Sequence, residues 1–201
     1  MNRFMRRAPL LALALMLLAG CGGKVKTTSH YSLYAPHANV AGSAQAENGL
    51  GVSVGPVTLP DILKQTRIAT GGEGGRYELA EYHRWSGELD RDMSRALAEQ
   101  LSLRLGTENV SVFPWDQHLT PRFRVLADVL NMGGALGGEA TLSVRWTVLD
   151  AEGKGEPIIR RSDLGERLTA TDHTAWVAAQ QRNIEKLGGF MAEMILSLSR
   201  E

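Results

Sequence analysis

The chain has 201 residues, of which 22 are basic and 22 acidic, giving a formal net charge of zero. That balance excludes the electropositive surface needed for nucleic-acid binding. A single cysteine excludes intrachain disulfides and multi-thiolate metal sites, and the length suits one domain with a substantial core.

Arg3, Arg6 and Arg7 open the chain, and an uncharged, leucine- and alanine-rich run follows over 8–19. The run falls short of the roughly 20 residues a helix needs to cross a bilayer. A basic start, a short apolar stretch and small residues before a cut site describe an export signal over 1–20. Leu18-Ala19-Gly20-Cys21 matches a lipobox, so Cys21 is expected to carry lipid and to become the first residue of the mature protein. Several acyl chains hold a protein at a membrane far more firmly than one. Gly22 stands where an Asp would retain a lipoprotein at the inner membrane; the outer membrane, periplasmic face, is therefore expected. Removing 1–20 takes away three arginines and leaves 19 basic against 22 acidic residues, a net charge of −3.

Residues 21–29 read as a lipidated N-terminus and tether whose last eight residues span at most about 26–29 Å, enough to hold a domain just clear of the headgroups. The domain is then 30–201. A first strand is predicted over 30–34, a loop over 35–49, and a strand over 50–57 with Pro56 at an edge or strand end. Strands at 67–70 and 76–80 flank Gly71-Gly72-Glu73-Gly74-Gly75 as a hairpin. Leu89, Met93, Leu97, Leu101 and Leu105 recur every fourth residue and predict a helix over 86–105, capped by Ser86 and ended by Gly106.

A short strand is predicted at 109–113. Phe123, Val125, Ala127 and Val129, and then Leu142, Val144, Trp146 and Val148, alternate with polar residues. That alternation marks two half-buried antiparallel strands. A turn at 150–155 leads to a strand over 157–168. The last helix is predicted over 172–198, with Val177, Ile184, Leu187, Met191, Met194 and Leu198 on one stripe and Phe190 and Ile195 at its border. Gly188-Gly189 is either a weak point or a close-packing site. The fold expected is α+β, one antiparallel sheet packed against two amphipathic helices.

Catalytic and metal patterns are lacking. His30, His37, His83, His118 and His173 show no ligand spacing, and there is no Gly-x-Ser-x-Gly elbow. The glycine loop at 71–75 lacks the Lys-Ser/Thr pair of a phosphate cradle. Neither Asp61 with Glu78 nor Glu81 with Asp90 has a spacing that orders an acid/base pair. No cofactor is expected. Arg84-Trp85 has two readings, a core tryptophan covered by its arginine or an interface anchor. Ala135-Leu136, framed by glycines, is either a flexible turn or a tip that touches a membrane or partner. Met191 and Met194 read as core or as the wall of a lipid groove.

Val54-Gly55-Pro56-Val57-Thr58-Leu59-Pro60 resembles the Val-Gly-Pro-Val-x-Leu-Pro stretch of the PqiC-like family of auxiliary lipoproteins. The likeness extends to Tyr31-x-Leu33, Ile68, Arg84-Trp85 and Leu89. It departs where the family often has Asp-Arg-Pro-Gln and this chain has Lys64-Gln65-Thr66-Arg67. The resemblance implies a non-enzymatic lipoprotein serving an intermembrane lipid transporter. Its implied partner is an MCE-domain protein of the periplasmic conduit, in a homo-oligomeric assembly that matches a ring-shaped partner. The candidate contact residues are Val54, Gly55, Pro56, Leu59, Pro60, Arg84 and Trp85, of which Pro56, Leu59 and Pro60 either shape a docking edge or simply end a strand. The alternative is a structural or chaperone-like assembly lipoprotein of another envelope machine.

Overall fold

The computed structural model describes residues 26–35, 50–114 and 120–200. The export signal, Cys21, the start of the tether and almost all of the loop expected over 35–49 lie outside the described residues. In chain order the elements are β1 (Ser29–Tyr31), β2 (Val52–Thr58), a 3₁₀ turn (Asp61–Lys64), β3 (Arg67–Gly71), a second 3₁₀ turn (Glu73–Gly75) and β4 (Tyr77–Trp85). Then come α1 (Leu89–Leu105), β5 (Val110–Val112), β6 (Phe123–Gly133), β7 (Glu139–Asp150), β8 (Ile158–Arg167) and α2 (His173–Leu198).

The fold is α+β in one domain, with both helices against mostly antiparallel, partly mixed strands. A five-stranded sheet has the order β5-β2-β6-β7-β8 and a three-stranded sheet the order β1-β4-β3. The pairs β3–β4, β6–β7 and β7–β8 are antiparallel, whereas β1–β4, β2–β5 and β2–β6 are parallel. The expected antiparallel sheet is thus present and partly mixed. Alternation of apolar residues shows which face of a strand is buried, not the direction of its neighbour. The chain runs through β3, β4 and α1 before β5 and β6 settle on either side of β2.

The even positions of β7, from Ala140 to Val148, face the helices together with Phe123, Val125, Ala127 and Val129 of β6. A register shift between Val129 and Asn131 then moves the inward position to Met132. Met93, Leu97 and Leu101 of α1 and Trp176, Ile184, Leu187, Met191 and Ile195 of α2 close the core. Each such side chain contributes roughly 1.5–3 kcal/mol on burial. α1 packs on β2 and β5, α2 on β7 and β8, and the helices pack on each other.

Helix ends follow local chemistry with one exception. Ser86 does not cap α1: the helix starts at Leu89 with Glu88 in the cap position, and no side chain caps it. The Ser86 N–H is used elsewhere, donating to the Tyr31 carbonyl at 2.8 Å. Gly106 ends α1 in the left-handed region with φ of 66°, and the Asp172 carboxylate caps α2 by accepting from Ala175 N at 2.8 Å. Gly188 is a close-packing site, because a Cβ there would stand 2.5 Å from Gln100 Cβ on α1. Ile195 is fully buried rather than at the border of the stripe, while Phe190 is 45% exposed.

A backbone bridge stitches the two sheets together. Gly71 at the end of β3 and Gly134 after β6 exchange backbone hydrogen bonds of 2.8 and 2.6 Å. Trp176 Nε1 and Gln180 Nε2 both donate to the Gly133 carbonyl, and Gln180 also donates to Thr141 O. This pins the start of α2 over the β6–β7 turn.

Candidate functional site

The segment Val54 to Pro60 runs along and off the end of β2. Val54, Gly55, Val57 and Leu59 are buried, Pro56 and Thr58 are exposed, and Pro60 is half-buried. The β2–β6 register shifts between Val54 and Val57, so the inward set passes from even to odd positions around Gly55 and Pro56. Gly55 has φ of 103°, and a Cβ on it would lie 2.9 Å from Phe113 Cβ. Only glycine admits both that backbone and that approach. β5 pairs with β2 no further than Val54, and Phe113 N then donates to Val54 O at 2.9 Å. Pro56, which has no N–H to offer, thus stands on the edge of β2 left open where β5 stops, near Phe113, itself 45% exposed.

Below Pro56, a surface pocket of about 330 Å³ is lined by Val57, Thr58, Leu59, Lys64, Glu88, Leu89 and Asp90. Its floor is apolar and its rim charged. Thr58 Oγ1 donates to Asp128 Oδ1 at 2.6 Å, and Arg91 pairs with Glu88 at 2.8 Å. Lys64 bonds Asp61 at 2.7 Å and holds its carboxyl below the usual carboxylate range.

Trp85 ends β4 and is only 5% exposed, with its ring centroid 6.3 Å from that of Trp176. Of the two readings of Arg84-Trp85, the tryptophan takes the core one. The Trp85 backbone N–H donates to Thr66 O at 2.7 Å, while Arg84 is half-buried beside Arg67 and His30 in the strand registers. The two segments picked out in the sequence belong to different sheets, and they converge where the chain after Trp85 enters α1 beside Leu59. Cys21 lies outside the described residues.

Two features escaped the sequence. Phe113 had been placed only as a strand residue, and nothing in its neighbours marks it as exposed. His83 and His173 are stacked with ring centroids 4.0 Å apart and planes inclined by 12°, and Tyr31 Oη lies 2.9 Å from His83 Nδ1. Parallel rings at that distance make a packing contact rather than a chelate, and among the described residues no group of three or more His, Cys, Asp or Glu could hold a metal. Burial, and then the neighbouring His83, lower the His173 pKa, with Asp172 opposing them.

The class to which this α+β chain belongs is that of transport auxiliary lipoproteins. The chain belongs to the family described as the ABC-type transport auxiliary lipoprotein component, whose model matches residues 31–192 and which includes PqiC-like proteins. It is accordingly a membrane-anchored lipoprotein and an auxiliary component of an ABC-type transport system. A solved structure of an uncharacterized protein matches with a TM-score of 0.68 at 18% identity, covering 84% of this chain and 99% of that one. A Xanthomonas campestris protein matches with a TM-score of 0.62 at 12% identity, covering 75% and 86% of the two chains. At these identities the likeness speaks for the fold alone. No curated protein matches the sequence.

Proposed function

We propose that the protein is an outer-membrane lipoprotein, held by acyl chains on Cys21, that docks the periplasmic conduit of an MCE-type lipid transport system. The partner is an MCE-domain protein, and the work is contact rather than bond-making. The observation that carries this reading is the form of the shared Val54 to Pro60 segment. Val54, Val57 and Leu59 are turned inward as scaffold, and Pro56 is exposed on the edge of β2 left open where β5 stops, near Phe113. Such an edge suits a protein surface better than a small reacting molecule. Trp85 contributes by holding β4 against α2, and Arg84, not Trp85, is the member of that pair open to a partner.

Capture of the acylated protein from detergent-solubilised envelopes tests the proposal, with recovery of an MCE-domain protein as the expected result. Pro56→Ala and Arg84→Ala should weaken that recovery while leaving the fold intact. Reproducible recovery of a different envelope machine would replace the transport reading with the assembly one.

A further inference from the structure

We infer that one end of the domain, the Leu136 turn together with the β3–β4 loop, rests on the phospholipid surface to which the chain is anchored. This rests on the Cys21 anchor proposed above, and it says which way the domain faces. β1 runs parallel to β4, with Ser29 beside His83 and Tyr31 beside Trp85. The chain before Ser29 therefore points back along β4 toward the β3–β4 loop, and Lys26 Nζ lies 5.1 Å from the centre of the Tyr82 ring. The tether is thus shorter than the sequence implies, because the chain is already against the domain at Lys26.

Five residue steps lead from Lys26 back to Cys21, and they reach at most about 18 Å. From Tyr82 to Tyr77, where β4 begins at the loop, is also five strand residues, about 17 Å. A tether drawn out fully along β4 meets the bilayer only about where the loop ends, and any shorter path brings this end closer. The Gly71–Gly134 stitch sets the β6–β7 turn beside that loop, so both share the membrane-side position. β8 ends here as well, with Arg167 opposite Glu139.

The chemistry of the turn fits the position. Leu136 is 37% exposed between Gly134 and Gly137, and Ala135, Gly138 and Ala170 around it are exposed and uncharged. A leucine on an uncharged turn can enter the headgroup boundary without desolvating a charge. At the opposite end Ile159, paired with Thr147 and 58% exposed, lies about 26 Å along β8 from Arg167.

The test uses the full acylated chain in phosphatidylethanolamine/phosphatidylglycerol vesicles, with L136C or I159C carrying an environment-sensitive fluorophore. Both sites are exposed, and circular dichroism verifies the fold of each variant. Fluorescence at 136 is expected to shift blue and to be quenched by doxyl-labelled lipid several-fold more than at 159. Equal quenching at the two sites, stronger quenching at 159, or a blue shift at 136 without lipid quenching would overturn the orientation. Failure of the chain to float with vesicles would bring down the anchor itself, and the orientation with it, and is distinguishable because the label then never meets lipid.

Discussion

At Gly134 the backbone turns with φ of 102°, and a methyl group would overlap the Glu139 carbonyl oxygen. The same residue carries the backbone bonds to Gly71 that join the sheets. Gly134→Ala should therefore cost about 2–4 kcal/mol through strain and lost hydrogen bonds, read as a lower urea midpoint. Trp85→Ala empties a packed site beside Trp176 and should cost about 3–5 kcal/mol. Arg84→Ala, at a half-buried position, should stay within about 0.5 kcal/mol. If Trp85→Ala left the unfolding midpoint unchanged, the core assignment of that side chain would be wrong. The motif Val54 to Pro60 was legible as a strand from its valines. Which of its members faces outward was not, because the shift around Gly55 and Pro56 reverses the inward parity.

Among the elements, α2 packs against α1, β7 and β8. Gly188→Ala would gain about 1 kcal/mol of helix propensity, but its methyl would stand 2.5 Å from Gln100 Cβ. Overpacking costs about 1–3 kcal/mol, so a net loss is expected in thermal melts. The start of α2 is joined to β4 by the His83–His173 stack, which Tyr31, Thr174 and Asp172 surround. The His173 pKa is lower folded than its ordinary 6.5, so below that value the unfolded chain binds the proton more readily. Stability from this contact is complete above pH 6.5 and declines as pH falls below it. His173→Phe keeps a stacked ring and should flatten that slope in pH-dependent unfolding. Glu166 acts in a separate, more acidic window. Hydrogen bonds from Lys186 and then Arg182 lower its pKa below 4.5, so its contribution is lost only as pH falls from there through the lowered value. An unfolding profile with no loss of stability as pH falls below 6.5, ahead of the Glu166 window, would sink the histidine account.

The whole molecule is a domain anchored to a membrane. Among the described residues no helix is long and apolar enough to cross a membrane. With Cys21→Ser, the protein is expected to move from the membrane pellet to the soluble fraction of fractionated cells, and retention in the pellet would reject the acyl anchor. The strand-helix order, both amphipathic helices and the Gly106 stop were readable from the sequence, because each is set by side chains within a few residues of one another. Strand direction, the Gly71–Gly134 stitch, the burial of Trp85 and the meeting of His83 with His173 were decided only in three dimensions. Those contacts join segments far apart in the chain, and local periodicity carries no information about which distant backbone a strand edge or a ring will meet.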